Sequence, residues 1–263
     1  MILIKIGGGE TINLEGIIAD LAEIKDPCII VHGANALRNE LAQQLGVSKK
    51  ILESASGHSS VFSDTPMIDL LMMSYAGVRN KRIVELCQRH GINAVGLSGL
   101  DGRILQGKRN PGIRVRDGEK TKMVRDFSGK PCAINRELLG YLLEHQYTPV
   151  LSIPIIDETN TAINAENDDI VALIQREMQI PRILQFIEAP GFLKDPADPS
   201  SLIPRLSCSE LEHWESISHG RIKRKLLAVR KLFSQGSVHV TIADGRIEHP
   251  VREALNGGGT DIR

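Results

Sequence analysis

The stretch Ile2–Gly9, ILIKIGGG, guides the interpretation of the rest of the sequence. Its first five residues are apolar apart from Lys5, which is typical of a buried β-strand, and three glycines follow at once. A lysine at the end of a buried strand is costly unless an anion meets it. Glycines let backbone N–H groups approach a phosphate closely, so the stretch predicts an anion-binding turn. A tight structural turn is the alternative explanation.

Strand and helix patterns alternate along the chain from this stretch onward. Further apolar strands are predicted at 28–32, 94–98, 148–153, 182–188 and 238–243. Helical spacing predicts helices at 12–24, 37–45, 66–89, 135–145, 168–178, 220–234 and 250–255. This order predicts the α/β class, as a three-layer α/β/α sandwich with a mainly parallel sheet. Ligands of such sheets bind beyond the carboxyl ends of the strands, where Gly7–Gly9 and Gly33 stand.

Three local patterns fall outside this alternation. Residues 54–64 are rich in Ser and Gly and predict a polar loop. Residues 103–127 carry short β-prone pieces among Gly, Arg and Lys, which predicts one or two hairpins. Ser207 and Glu210 have the spacing of a capping box and predict the start of a helix there.

Composition and charge narrow the function classes. The 263 residues include 32 Lys+Arg and 32 Asp+Glu, so the formal net charge is zero. Positive charge is nevertheless concentrated in residues 103–130 and 219–231. A nucleic-acid-coating protein would be basic overall and richer in stacking aromatics, so these runs favour a phosphorylated ligand or an acidic partner. Solvated helix and hairpin faces are the alternative explanation. No apolar run is long enough to cross a membrane, so we expect a cytoplasmic protein without a membrane or nucleic-acid partner.

Several common catalytic motifs are absent. The four cysteines are isolated from one another, which excludes zinc ribbons and thioredoxin-type sites and predicts reduced thiols; they are Cys28, Cys87, Cys132 and Cys208. Arg109 follows Gly107-Lys108 where a P-loop needs Ser or Thr, and no G-x-G-x-x-G occurs. His32 ends a predicted strand without an evident nucleophile beside it, which favours a structural histidine.

Several longer segments resemble the amino acid kinase family over nearly the whole chain. They are KIGGGE at 5–10, VHGAN at 31–35, AGVRNKRIVEL at 76–86, GLSGLDGR at 96–103, PVLSIP at 149–154, AINAENDDIVAL at 162–173, GRIKRK at 220–225 and ADGRIEHPVREALNGGGTDIR at 243–263. Within the family, the chain is similar to N-acetylglutamate kinases. It is more similar to kinases of 2-aminoadipate or glutamate held by an amino-group carrier protein. The GLSGLDGR and ADGR segments favour this second branch.

The resemblance implies a fold, a reaction and a set of site residues. It implies the amino acid kinase fold and ATP-dependent phosphorylation of a side-chain carboxylate, with Mg²⁺ carried by the nucleotide phosphates. Lys5 and Lys225 would neutralise the transferred phosphoryl group, and Asp168 would position both lysines. The remaining residues would bind phosphate or substrate. Phosphate donors would be Gly7, Gly8 and Gly33, and substrate contacts would come from Ala34, Asn35, Val61 and Asn164. No general base is required, because a carboxylate is already a nucleophile.

Three positions depart from the family pattern. Ala34-Asn35 replaces two small residues of H-G-G-G, which narrows the site if the backbone there needs a positive φ. Val61 stands where a substrate-gripping arginine is expected, so the acceptor lacks that carboxylate or another arginine, such as Arg38, reaches in. Ile187-Glu188 replaces the hydroxyl and aspartate of the nucleotide loop, which affects nucleotide affinity or choice.

The resemblance also predicts an organisation and a partner. Residues 1–263 would form a single kinase domain, with an acceptor-binding lobe at 1–147 and a nucleotide-binding lobe at 148–263. Family members are commonly homodimers through the first lobe. The basic segment 103–130 would dock a small acidic carrier protein. Two alternatives remain open: a kinase of free N-acetylglutamate, and a weakly active binding or regulatory relative.

Overall fold

The computed structural model describes residues 1–53, 59–117, 120–195, 197–217, 226, 227, 229, 230, 232, 233 and 238–263. The strands are β1 (Ile2–Ile6), β2 (Cys28–His32), β3 (Ile51–Glu53), β4 (Ser59–Val61), β5 (Ala94–Ser98), β6 (Leu105–Arg109), β7 (Ile113–Asp117), β8 (Lys120–Val124), β9 (Gly129–Ile134), β10 (Thr148–Ser152), β11 (Ile155–Ile156), β12 (Ala162–Ile163), β13 (Arg182–Ile187), β14 (Arg205–Leu206), β15 (His239–Asp244) and β16 (Thr260–Ile262). The α-helices are α1 (Leu14–Ala22), α2 (Asn35–Gln44), α3 (Thr65–Leu71), α4 (Asn80–Arg89), α5 (Arg136–Glu144), α6 (Asn167–Met178), α7 (Cys208–Ile217) and α8 (Pro250–Leu255). A π-helical segment (Met72–Arg79) joins α3 to α4, and short 3₁₀ turns span Asp101–Arg103 and Pro199–Ser201.

An eight-stranded sheet organises the chain, in the order β14-β16-β15-β13-β1-β2-β10-β5. The strands from β15 through β13, β1, β2 and β10 to β5 are all mutually parallel. Only the β15–β16 pairing in this sheet is antiparallel. The predicted mainly parallel α/β sheet is therefore confirmed, and the carboxyl ends of its central strands meet at one edge.

Strand β1 shows how the two helical layers pack. Its even-numbered residues contact an apolar cluster that includes α1 and α4, whereas Leu3 contacts the cluster that includes α6. Ile4 and Leu3 are both fully buried, as expected for a strand covered on both faces. Lys5 shares the Leu3 side of the strand, and so it faces the α6 layer.

The helix predicted over 66–89 is interrupted in the middle. Asp64 caps its start, since its carboxylate accepts a hydrogen bond from the Met67 N–H at 3.2 Å. The π-helical turn then shifts the register before α4 begins at Asn80. Such π segments are frequently found at functional sites.

The smaller elements correct one prediction and confirm two. The stretch 54–64, expected to be a polar loop, contains strand β4. This strand pairs antiparallel with β3, and Ile51 is opposite Val61. The expected hairpin region contains the β7–β8 hairpin, and β6 and β9 pair antiparallel in a four-stranded sheet with β11 and β12. Ser207 and Glu210 form the predicted capping box, with their side chains bonded to each other's backbone N–H groups. Most of the predicted helix at 220–234 lies outside the described residues.

The expected lobe boundary at 147/148 does not coincide with a break in the sheet. Strand β10 begins at Thr148 and lies between β2 and β5, both from the first half of the chain. Cys28, Cys87 and Cys132 are free thiols. None of the described helices is long and apolar enough to cross a membrane.

Candidate active site

Lys5 and Asp168 form an ion pair at the carboxyl edge of the sheet. The Lys5 ammonium donates a hydrogen bond to Oδ1 of Asp168, and Lys5 is only 8% exposed. Asp168 stands in the first turn of α6, where the helix dipole favours a carboxylate. The pair therefore fixes the ammonium of a lysine that lies two residues before the glycine turn in the sequence.

The glycine turn after β1 packs tightly against the loop after β2. A Cβ on Gly8 would lie 2.3 Å from Oδ1 of Asn35 and 2.6 Å from the Ala34 nitrogen. The Ala36 N–H donates to the Gly8 carbonyl at 2.9 Å, which joins the two loops. Only glycine fits this close approach, so the backbone itself lines the site at Gly8.

The predicted phosphate donors differ in how their N–H groups are used. The Gly7 N–H donates to the Phe186 carbonyl, and the Gly33 N–H donates to the Ile6 carbonyl, each at 2.9 Å. Both donors are engaged in extending the sheet, which leaves them unavailable to a ligand in this conformation. Within the described residues, the Gly8 N–H has no such backbone partner.

The backbone at Ala34 and Asn35 avoids the left-handed region. Ala34 has a φ of −150° and caps α2, which begins with Asn35. Neither residue is among those with positive φ in the described chain. The substitution of glycine by Ala34-Asn35 therefore introduces no backbone strain, and Asn35 places its side chain beside Gly8 instead.

Asn164 contacts the segment that follows Val61. The Asn164 side-chain amide donates to Oγ of Ser63 at 3.0 Å, two residues beyond Val61. Val61 packs against an apolar cluster that includes Ala42, Met67 and Leu70. Valine is well accommodated at this position, where the resemblance implied an arginine.

His32 is a structural histidine, as the sequence suggested. It is fully buried, and its Nε2 accepts a hydrogen bond from Nδ2 of Asn80 at 3.2 Å. Burial lowers the pKa of His32 from 6.5 to about 3, and the charge of Arg79 acts in the same direction. The ring is therefore neutral at physiological pH and ties the end of β2 to the start of α4.

Lys225, the second predicted phosphoryl-neutralising lysine, lies outside the described residues together with the rest of 218–225. Arg38, the suggested replacement for the missing arginine, donates through Nη2 to Oδ1 of the neighbouring Asn39 at 2.9 Å. Its charge also lowers the pKa of Tyr75, which burial raises more strongly. Arg38 thus lies near the loop after β2.

Three residues at this edge were not singled out from the sequence. Asn167 begins α6, with its Oδ1 buried and its Nδ2 within 3.6 Å of the Cβ position of Gly33. Tyr75 and Arg79 come from the π-helical segment. Asn167 could have been selected from the polar run 166–169, whereas Tyr75 and Arg79 have no local signal. Glu188, noted above as a departure from the family pattern, follows β13 and accepts hydrogen bonds from the N–H and hydroxyl of Thr11.

A model of the amino acid kinase family matches residues 1–244. The chain belongs to the amino acid kinase family. A LysW-aminoadipate kinase of Thermus thermophilus is 36% identical over 269 aligned residues, which cover 100% of each chain. An acetylglutamate kinase of Methanopyrus kandleri is 29% identical over 265 residues, again covering 100% of each chain. The named relatives are kinases, and this member of the amino acid kinase family is an enzyme of that class.

The solved structures agree on the amino acid kinase fold. The N-acetylglutamate synthase of Neisseria gonorrhoeae superposes with a TM-score of 0.78 at 18% identity. The match covers 99% of this chain and 58% of the synthase, so this chain spans little more than half of that protein. At this identity the likeness concerns the fold alone.

The site has features that fit a nucleotide phosphate, as expected of an amino acid kinase. The Gly8 backbone forms a cradle that any Cβ would fill, and the Lys5 ammonium lies at the end of the same strand. Within the described residues, no group of three or more His, Cys, Asp or Glu side chains is placed to hold a metal ion.

Proposed function

We propose that this kinase transfers the γ-phosphoryl group of ATP to the side-chain carboxylate of 2-aminoadipate or glutamate bound to a carrier protein. The product is an acyl phosphate, as in lysine or arginine biosynthesis in the cytoplasm. The observation that carries the proposal is the Lys5–Asp168 pair, held at the carboxyl edge of the sheet beside the Gly8 turn. This arrangement can stabilise charge on a phosphoryl group without a general base.

The chemistry is an in-line displacement at phosphorus. A carboxylate oxygen of the acceptor forms a bond to the γ-phosphorus, and the bond from that phosphorus to the β–γ bridging oxygen breaks. The electron pair of the broken bond remains on ADP, and no proton is transferred. Because negative charge moves between oxygens, positioned cations and N–H donors supply the catalysis.

Each site residue has a part in this proposal. Lys5 and Lys225 neutralise the phosphoryl oxygens, and Asp168 holds the ammonium of Lys5 in position. The Gly8 N–H donates to an oxygen, whereas Gly7 and Gly33 provide the close approach of the two loops. Backbone and side-chain groups of Ala34, Asn35, Val61 and Asn164 surround the acceptor. Mg²⁺ bound to the nucleotide phosphates would add positive charge at the same place.

A carrier protein is supported by the name of the Thermus thermophilus relative and by the basic segment 103–130. Six described cations of that segment are exposed, and three of them lie in or directly after the β7–β8 hairpin; the six are Arg103, Lys108, Arg114, Lys122, Arg125 and Lys130. Such a surface favours the approach of a small acidic protein. We further propose that residues 1–147 bind the acceptor, that residues 148–263 bind ATP, and that the enzyme is a homodimer.

The test is ATP-dependent acyl phosphate formation, trapped as a hydroxamate with hydroxylamine. The acceptors are an acidic carrier protein loaded with 2-aminoadipate or glutamate, the same carrier unloaded, and free N-acetylglutamate. We expect hydroxamate only with the loaded carrier. A Lys5→Met enzyme provides the blank, because it lacks the ammonium that neutralises the phosphoryl group.

Hydroxamate with free N-acetylglutamate alone would overturn the carrier proposal. It would favour the second candidate, an N-acetylglutamate kinase, which the full-length similarity to the Methanopyrus kandleri enzyme supports. Absence of hydroxamate with every acceptor, while ATP still binds, would instead indicate a binding or regulatory relative.

A further inference from the structure

Arg79 is a half-buried arginine at the end of the π-helical segment. Its Nε and Nη2 atoms are enclosed, and neither has a hydrogen-bond partner among the described residues. Burial lowers the pKa of Arg79, which reflects the cost of keeping its charge out of water. Arginine stays protonated in proteins, so the cost is not relieved by loss of a proton.

The backbone at Arg79 is fixed against the two neighbouring strands β2 and β10. The next residue, Asn80, is fully buried and donates through Nδ2 to the Val150 carbonyl at 2.9 Å and to His32 at 3.2 Å. Arg79 closes the π-helical segment, whose extra residue per turn sets the direction in which its side chain leaves the helix. The residue therefore stands over the carboxyl edge of the sheet.

Electrostatic effects locate the guanidinium along that edge. Its charge acts on His32, which ends β2, and it is itself stabilised by Glu188, which follows β13. Strand β1 lies between β2 and β13 in the sheet. A cation that acts on both residues therefore lies by the end of β1, where the turn Gly7–Gly9 begins.

The neighbouring cations do not supply this charge. Lys5 is bonded to Asp168 on the α6 side of the sheet. Arg38 is bonded to Asn39, and an apolar cluster surrounds Val61, where the resemblance implied an arginine. A guanidinium fork matches the two oxygens of a carboxylate or phosphoryl group, so an arriving anion would relieve the unmet donors of Arg79.

We propose that Arg79 binds an oxyanion of the bound substrates at the glycine turn, either a phosphoryl group or the carboxylate of the acceptor. This inference deepens the proposed function and rests on it for the identity of the acceptor. It makes Arg79 a substrate-binding residue that offsets the missing arginine at position 61.

The test compares Arg79→Met with Arg82→Met, which removes the same charge from an exposed, ion-paired arginine one turn along. Thermal unfolding is measured for the free protein and with ADP, with N-acetylglutamate and with the glutamate-loaded carrier. Isothermal titration gives the affinities. An Arg79→Lys variant tests whether a single-point charge partly restores binding.

We expect free Arg79→Met to be as stable as the wild type or more so, because it no longer buries an unpaired charge. It should bind at least one of the three ligands about 10- to 100-fold more weakly, as for a lost charged hydrogen bond. Weaker ADP binding identifies the phosphoryl group, and weaker binding of either acceptor identifies the carboxylate. Arg82→Met should match the wild type throughout.

A structural role would give the reverse pattern. The proposal is wrong if Arg79→Met destabilises the free protein and every ligand stabilises the variant as much as it stabilises the wild type. It is equally wrong if no ligand stabilises either protein. Neither result depends on turnover. The two proposals can fail separately. If the wild type forms no acyl phosphate but ADP binds more weakly to Arg79→Met, the proposed function is wrong and the proposed role of Arg79 stands.

Discussion

Lys5 is the described residue on which the proposed chemistry depends most directly. Lys5→Met keeps the apolar stem but removes the ammonium, so kcat should fall by about 100- to 1000-fold, as when one stabilising donor is removed. Steady-state hydroxamate formation measures this, and thermal unfolding checks the fold. The control is Lys25→Met, an exposed lysine at the opposite edge of the sheet, which should retain wild-type kcat. A Lys5→Met enzyme with near-normal kcat would contradict the assignment.

Gly8 tests the close approach of the two loops. In Gly8→Ala the new Cβ would lie 2.3 Å from Oδ1 of Asn35 and 2.7 Å from the Asn35 nitrogen, so the loops must separate. We expect lower thermal stability and a loss of nucleotide binding, measured by unfolding with and without ADP. The matched control is Gly140→Ala in α5, where a Cβ meets nothing within 4 Å. It should be stabilising by about 0.5–1 kcal/mol. Equal behaviour of the two variants would refute the packing argument.

The buried His32 makes stability depend on pH. Its pKa is about 3 in the folded protein and near 6.5 when exposed, so the folded state binds fewer protons between these values. Stability should therefore fall as pH drops below about 6.5, approaching about 1.4 kcal/mol per pH unit. Urea unfolding of wild type and His32→Asn from pH 7.5 to 5.5 measures the difference. Parallel curves for the two proteins would contradict the assignment of a neutral buried ring.

Helix α8 is fixed by a side chain that lies far away in the sequence. Asp20 of α1 is 4% exposed and accepts hydrogen bonds from the N–H groups of Val251 at 2.9 Å and Arg252 at 3.0 Å. Its other oxygen, Oδ1, faces Nδ1 of His249 at 2.9 Å. A carboxylate thus caps the start of α8 from a neighbouring helix, which joins the first and last helices of the chain.

Removal of this cap should cost stability. Asp20→Asn keeps the shape but replaces one acceptor with an amide donor, so we expect a loss of about 1–2 kcal/mol in the free energy of unfolding. Urea denaturation measures it. Asp26→Asn, at an aspartate with a 61% exposed side chain, should cost far less. A similar loss in both variants would mean that the cap contributes nothing specific.

The sequence predicted most elements because their patterns are local. Strand β1 and helix α6 were predicted within one residue, since uninterrupted apolar runs and helical spacing identify buried elements. The β3–β4 hairpin was missed because each strand has only three residues, and β4 is mostly serine, so neither shows an apolar alternation. The π-helical turn was missed because its residues have the same apolar spacing as the α-helix that surrounds it.

The candidate site was predictable only in part. Lys5 lies in strand β1 and Gly8 lies two residues beyond its end, so one local pattern predicts both, and the resemblance gave Asp168 its role. Arg79 and Glu188 come from separate elements, and only the packing of α4 against the sheet and the position of β13 bring them to the same edge. Such long-range proximity leaves no pattern in a single sequence.

The basic segment 103–130 is not uniform when the whole molecule is considered. Arg109 is a structural cation, since its Nε bonds to Asp157 at 2.9 Å and its guanidinium lies 4.5 Å from the Phe127 ring centre. Arg114 and Arg125, in contrast, are exposed. Exposed charge available to a partner protein therefore lies at the β7–β8 hairpin. This hairpin contacts β3, which pairs with the strand that carries Val61.

Charge reversal at that hairpin tests the carrier proposal. Arg114→Glu with Arg125→Glu should lower kcat/KM for the loaded carrier roughly tenfold at low salt, through KM, and the effect should shrink as salt rises. Initial rates at several ionic strengths measure it. The control is Lys25→Glu together with Arg82→Glu, which changes the net charge equally at exposed cations of other elements. An unchanged KM in the hairpin variant would exclude docking there.

The position of β1 in the sheet has a consequence for the chain while it is being synthesised. Strand β1 pairs with β2 on one side, but its other partner, β13, is translated only after some 180 residues. Until then the emerging polypeptide carries an apolar strand with an open edge, which is a hazard for aggregation on the ribosome. The hydrogen bond from the Gly7 N–H to the Phe186 carbonyl also cannot form until β13 has been translated. The turn that would hold a nucleotide is therefore completed late, so a partly translated chain has no finished site with which to use ATP.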